Sequence, residues 1–592
     1  MFSGLRIFAP PKFPVLSLDV RAQMPVPVVR ERSQFHLLVR HSLDRFFNND
    51  LISAESDEKA RFFQVLHAFA LPGAVVALYL APLYHRPDPR TFWSQASDHY
   101  FYVTYSLVAL GVLTIFAWDL FFPDLLDVNV LAPLPIPSRR LFLARILAAC
   151  LFLGLFVSGI NVLGIVFYPL FTEQPGMAHL MLAHTLAVLG SGAFAAGFFL
   201  ALQGTLVAVF GERLARTIAP FLQGISTTIL LTVLLLFPAS SQFLEPLTHT
   251  SAAGYFPPFW FLGIYEVLLS GSSSPPVFRG LAKTGCIAMA IVAALVVVSY
   301  PLAYRRKMRH LVEGSGRLET RAAASALVSR LLHAIYLRSR VQRGIYHFIS
   351  YSLLRTQRYR VYLAMYGGLG LALIVAGGLL LKVQNGHVGL ALSADGVRVA
   401  IPIAAFWTIA GLRTAFLSAA DKGGGWVFRV ILGRPGAKHL ETAMLWILPC
   451  ALLLTLALVA LTGLVAPQEL RGWKSLLIEA LAATGLCVLL TDALFVNVTS
   501  LPFTGEGRGS TNNLALILLQ YFGLFPPLIL ITVSLEPWLA ENAWHVAAAM
   551  GIIAAAHFAL HTIHKERSEN YANLIDLDED EEEFPQRLGL RY

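Results

Sequence analysis

Apolar runs of membrane length recur along the chain, separated by short polar stretches. A helix needs about 20 apolar residues to cross the hydrocarbon core of a bilayer. Such runs predict spans at about 62–84, 100–122, 141–171, 178–210, 217–240 and 277–304. A second set follows at about 361–382, 396–417, 440–465, 474–497, 512–535 and 543–563. The third and fourth runs are long enough for tilted or broken helices.

The two sets keep similar spacing. Starts at 62, 141, 178 and 217 recur near 361, 440, 474 and 512, a displacement of about 295–299 residues. Only the last pair breaks step, because the 241–276 loop is far longer than its 536–542 counterpart. Ahead of each set lies a stretch mixing apolar residues with Arg and His: "FHLLVRHSLDRFF", ending at Phe47, and "GIYHFISYSLLRTQRYR", 344–360. Both have the character of an interfacial amphipathic helix. The expected fold is all-α and polytopic, about 12 transmembrane helices in two six-helix halves arranged as a parallel repeat. Its divisions are an N-terminal arm with an elbow helix (1–61), a first half (62–304), a basic linker with a second elbow (305–360), a second half (361–563) and an acidic tail (564–592).

Composition agrees and narrows the class. Of the 592 residues, 56% are apolar and 14% charged, with a mean hydropathy of +0.63. Soluble domains carry about 25% charged residues. A net charge of +9 could indicate nucleic acid, but the positive residues flank apolar runs, so a nucleic-acid partner is set aside. From Arg305 to Arg360 there are thirteen Lys/Arg and two acidic residues, Glu313 and Glu319. The loops at 172–177, 241–276 and 536–542 have no Lys or Arg, whereas alternate loops carry Arg139 and Arg140, Arg213 and Arg216, and Lys422, Arg429, Arg434 and Lys438. This bias places both termini and the central linker in the cytoplasm. The first sixty or so residues are polar and basic, which does not fit a cleavable leader. Cys150, Cys286, Cys450 and Cys487 fall in apolar runs without CxxC spacing and read as small buried hydrophobes.

Ionisable groups in or beside spans are candidate functional sites: Asp119 and Arg413 near inner ends, and Asp492 within a span. Interfacial anchoring or an internal ion pair competes with a proton or ion pathway there. Glu266 and Glu479 read as interfacial. His557, His561 and His564 share a helix face, but they lack the acidic companion a metal site needs and read as packing residues. Seven acidic residues between Asp576 and Glu583 read as a solvated tail, or as a contact for a basic surface. No G-x-x-x-x-G-K-[ST] string occurs, and "TGEGRGST", 504–511, lacks the lysine that would reach a phosphate.

The most distinctive polar interruption is "FFPDLLDVNVLAPLPIPSRRLFLARIL", between the second and third spans. Pro133, Pro135 and Pro137 exclude a continuous helix, and Arg139 and Arg140 anchor the next span at the interface. By itself this is a rigid connector. Together with "PPFWFLGIYEVLLSG" (257–271), "GGGWVFRVI" (423–431) and "LPFTGEGRG" (501–509), the stretch resembles the permease subunits of bacterial ABC-type exporters of the type-2 export class. The resemblance implies a permease of the bacterial inner membrane without catalytic, cofactor or metal residues of its own; family members usually have six spans and dimerise, whereas this chain would be a large fused 6+6 form. ATP would be hydrolysed by a separate ABC-type ATPase subunit in two copies, and the other partners would be membrane lipids and an exported substrate of unspecified chemistry. It also implies two ATPase-coupling loops, one with Asp124, Asp127, Leu134, Pro135, Pro137, Arg139 and Arg140, the other with Trp426, Phe428 and Arg429. The second loop departs from the first in having three glycines where the first has its proline string. An ion-driven 6+6 secondary transporter using Asp492 and Arg413 is the alternative, and a membrane-embedded enzyme a more distant one.

Overall fold

A computed structural model describes residues 31–47, 58–88, 90–123, 125–131, 133–172, 176–313, 339–384, 387–417, 437–465, 472–496, 503 and 514–578. The chain is a helical, polytopic membrane protein, with eleven helices long and apolar enough to cross a bilayer among the described residues. In chain order these residues form α1 (Glu31–Phe47), α2 (Glu58–Tyr84), α3 (Phe92–Phe116), α4 (Leu125–Leu131), α5 (Ser138–Thr172) and α6 (Met177–Leu235). Next come α7 (Phe237–Gln242), α8 (Leu244–Thr248), α9 (Pro257–Ser270) and α10 (Pro276–Glu313). After these lie α11 (Arg340–Arg355), α12 (Gln357–Gly378), a hairpin of β1 (Leu379–Gln384) and β2 (His387–Leu392), and α13 (Ala394–Leu417). The last four are α14 (Ala437–Val465), α15 (Trp473–Phe495), α16 (Leu514–Glu541) and α17 (Ala543–Asp578).

Several helix starts follow directly from local chemistry. The Thr91 hydroxyl accepts from the Ser94 N–H to cap α3, and Ser339 with Gln342 forms a capping box on α11. Pro257 and Pro258 occupy the first turn of α9, where a missing N–H costs nothing.

The sequence predicts two spans, 178–210 and 217–240, with a loop between them. Instead α6 runs unbroken except at Gly211 (φ 78°, ψ 166°) and ends at Leu235. A straight helix of 59 residues would extend roughly 90 Å, twice the thickness of a bilayer. The chain folds back at Gly211. Gln203 on one arm donates to the Trp118 carbonyl (2.6 Å), and Gln223 on the other donates to the Ile115 carbonyl (3.3 Å), so both arms line one end of α3. Only glycine adopts this backbone region without strain, which lets a single residue replace the loop. Gly211→Ala should therefore destabilise the chain by about 1–3 kcal/mol, read as a lowered unfolding midpoint in detergent.

The packing forms two main apolar clusters. In the first, α3 is buried between α6 and α9, while α1 and α2 lie along α5. The second gathers Tyr366 of α12, Phe406 and Trp407 of α13, and Tyr521 of α16. The clusters meet where α12 lies along the second arm of α6. There Gly224 faces Ala364, Thr227 faces Gly368, and Thr228 Oγ1 donates to the Gly368 carbonyl (3.3 Å). Small residues permit this close backbone approach between spans.

Two expectations need correction. The span expected at 361–382 stops at Gly378, and antiparallel strands follow with Leu379 opposite Leu392. Within the 241–276 loop the chain forms the end of α7 and all of α8 and α9. α10 stays helical to Glu313 and α17 to Asp578, so helix runs into the stretches expected as linker and tail. Cys150 and Cys286 are exposed on the outer faces of their helices, because the apolar medium there is lipid rather than protein; Cys487 is buried.

Candidate functional site

The stretch between α3 and α5 has a buried root and an exposed tip. At the root, a 3-10 turn (Trp118–Phe121) leads into α4, whose Asp127 is 8% exposed. Asp127 pairs with Arg45 of α1 and with Arg145 of α5, the latter at 3.4 Å. Arg145 also donates to the carbonyls of Leu120 (2.6 Å) and Phe122 (3.1 Å), and its guanidinium lies over the Phe46 ring at 5.0 Å. One carboxylate and two guanidinium groups thus tie three elements together, each burying its charge beside its partner as a low-dielectric setting requires. At the tip, Pro133, Leu134, Pro135, Pro137 and Arg139 are exposed, and Ile136 and Arg140 are half-buried. The prolines fix the tip's backbone while the ion pairs fix its base.

The fold-back of α6 is pinned beside this root. Glu212 is buried and pairs with Arg216 (2.7 Å) and with Lys307 of α10 (3.7 Å). Lys307 lies over the Phe122 ring at 5.3 Å, and Tyr300 donates to the Phe121 carbonyl at 2.5 Å. Arg306 donates to the carbonyl of Ala208, covering the end of the first arm. The stretch from α3 to α5, the turn at Gly211 and the basic end of α10 therefore form one connected polar layer.

Asp119 is exposed in the 3-10 turn and interacts electrostatically with Arg360 at the start of α12. Arg360 also donates to the Arg216 carbonyl at 3.4 Å, so this contact crosses between the two clusters. Arg413 is half-buried; it donates to the Tyr521 hydroxyl at 2.8 Å and packs over that ring. Asp492 is buried, with its Oδ2 2.5 Å from Nδ1 of His557 on α17. The structure does not bring Asp119, Arg413 and Asp492 together; each has its own partner. Asp124, Trp426, Phe428 and Arg429 lie outside the described residues.

A further polar group was not anticipated. Glu266, expected at an interface, is 2% exposed, because α9 tucks it against α3 with Oε1 2.7 Å from Nδ1 of His99. Around this pair four rings alternate stacked and edge-on contacts: His99 on Tyr265 (4.0 Å), Tyr265 against His184 (5.6 Å), His184 on Tyr168 (5.2 Å) and Tyr168 against His99 (5.8 Å). Next to them Asp98 accepts from Tyr84 (2.8 Å) and Arg90 (2.9 Å). The signal for this group was a carboxylate and two histidines inside otherwise apolar segments. Among the described residues, no three His, Cys, Asp or Glu side chains converge as a metal-ligand set.

The fold and these sites define a helical, multi-pass membrane protein that has, among the described residues, an exposed proline-bearing protrusion on an ion-paired root, and internal polar pairs. No family model, curated protein or solved structure matches the chain.

Proposed function

We propose that this chain is the membrane-spanning permease of an ATP-driven, ABC-type exporter in a bacterial inner membrane, working with a separate ATPase subunit. The observation that carries the reading is the stretch between α3 and α5: a proline-stiffened, exposed tip on a root clamped by Asp127, Arg45 and Arg145. A lever has these properties. Force applied at Leu134 to Arg139 passes through the ion pairs into α1 and α5, and through Phe121 and Phe122 to α10, instead of being absorbed by a flexible loop.

In this reading the polar layer faces the cytoplasm, in keeping with the basic end of α10, and both termini lie on that side. The chain is a 6+6 repeat in which α1, α2, α3 and α5 correspond to α11, α12, α13 and α14, and the two arms of α6 to α15 and α16. The substrate path runs between the halves, beside the contact of α12 with α6. The chain carries no phosphate loop, so hydrolysis belongs to the partner and the chain itself is no enzyme. The fused form takes two ATPase copies, with the Trp426 loop as the second docking element.

Exchanging Pro135 and Arg139 together for alanine should leave membrane insertion intact. It should lower substrate-linked hydrolysis by the partner about tenfold or more, the effect of losing a docking contact of roughly 1.4–3 kcal/mol. Unchanged coupled hydrolysis would remove the lever from the account.

A second reading, an ion-gradient-driven transporter, draws on the buried Asp492–His557 pair. It requires that Asp492→Asn abolish transport in the absence of any partner.

A further inference from the structure

A cavity of about 420 Å³ lies among α13, α15, α16 and α17, remote from the lever. Ligand pockets commonly measure about 300–1,000 Å³. Its chemistry is graded along its length. Arg398 in the second turn of α13, Glu479 in the second turn of α15 and Trp538 in the last turn of α16 lie at one end. Leu486, Leu489, Leu528 and Ile553 line the interior. From Glu479 to Leu489 the cavity follows α15 for roughly 15 Å at about 1.5 Å per residue.

One wall belongs to the surface that would face lipid. Ile531 and Ile552 line the cavity, yet they are 57% and 68% exposed, so the space between α16 and α17 is continuous with the bilayer side. The local sequence leaves room for the gap. Consecutive prolines, Pro526 and Pro527, lie in α16 just before Leu528 and remove two N–H donors from its hydrogen-bond ladder. Ala482 and Ala549, which also line the cavity, are too small to fill it.

These features select a ligand class. A sugar, nucleotide or ion would place polar groups against walls that cannot satisfy them. A long alkyl chain with a polar head matches both the apolar interior and the charged end. Arg398 suits a phosphate, and Glu479, already accepting from Ser475 (3.4 Å), suits an ammonium.

We propose that this cavity binds one acyl chain of an amine-bearing zwitterionic phospholipid. The chain enters sideways between α16 and α17, and the headgroup sits at Arg398 and Glu479. The site is independent of the exporter reading and stands under either energy source.

The test reconstitutes the full chain in nanodiscs with phosphatidylethanolamine carrying a photoreactive diazirine on one acyl chain, followed by peptide mapping. Adducts are expected within 478–489 and 546–553. Filling the cavity with Ala482→Trp and Ala549→Trp should lower them at least about tenfold relative to adducts on the exposed α14 residues Leu453 and Leu464. Arg398→Gln and Glu479→Gln leave the cavity open; they should abolish the preference over phosphatidylglycerol bearing the same chain. The proposal is overturned by adducts confined to the outer surface, by labelling indifferent to filling, or by equal labelling from the two headgroups in the unmodified chain.

Discussion

Glu266→Ala is expected to destabilise the purified chain by roughly 3–5 kcal/mol, the cost of removing one member of a buried ion-paired or hydrogen-bonded couple. His99 is 1% exposed, and its Nε2 has no hydrogen-bond partner. Losing Glu266 also strips the partner from Nδ1 and leaves the whole imidazole unsatisfied between two tyrosine rings. Replacing both residues, His99→Leu with Glu266→Leu, removes the unsatisfied group as well as the pair, so the double variant should be more stable than Glu266→Ala alone. Unfolding midpoints in detergent across the double-mutant cycle measure this. A single-variant loss below about 1 kcal/mol, or strict additivity, would show that the two side chains are adjacent without being coupled.

Asp127→Ala should have a comparable effect on stability and a larger one on the protrusion. It leaves Arg45 and Arg145 facing a buried site with no intervening carboxylate, again at a cost of about 3–5 kcal/mol. Arg145 keeps its bonds to the Leu120 and Phe122 carbonyls, so the loss falls on the tie to α1 and on the base of the tip. Trypsin cleavage at the exposed Arg139 should accelerate about tenfold or more, because local opening becomes easier by at least roughly 1.4 kcal/mol. Asp127→Asn, which keeps the shape and two polar atoms, should fall between the two. Cleavage at the parental rate in Asp127→Ala would mean that the prolines alone set the stiffness of the tip.

What could be read in advance follows from the range of the physics involved. Spans were legible because about 20 consecutive apolar residues leave few alternatives to a crossing helix. The helix α1 and the proline string were legible for similar local reasons. The reversal at Gly211 was not, since "FGERLAR" reads as a short charged loop and one glycine conformation does the work of several residues. The hairpin after α12 did have a signal, the Asn385-Gly386 pair between two alternating runs, but the apolar run leading into it reads equally well as the end of a helix. Pairings were the least accessible. Asp127 and Arg45 are 82 positions apart and Glu266 and His99 are 167, distances at which no periodicity connects them. Glu266 was therefore assigned to an interface, the ordinary place for a carboxylate beside a span, whereas α9 carries it inside.

Under the proposed function the two loops differ in the chemistry of their sequences. The first has three alternating prolines, Pro133, Pro135 and Pro137, and the second has Gly423, Gly424 and Gly425. A docking element with a fixed backbone transmits displacement, while a glycine run disperses it. The first loop should carry the greater share of coupling.

In the proposed function, the work of transport comes from an ATPase in trans. This is tested most directly by isolating the chain from its native membrane with bound partners and measuring substrate-stimulated ATP hydrolysis and transport in proteoliposomes. A nucleotide-binding subunit should co-isolate, and transport should require ATP and survive collapse of ion gradients. Transport by the chain alone on an imposed gradient, with no such subunit and no response to ATP, would contradict the proposed function.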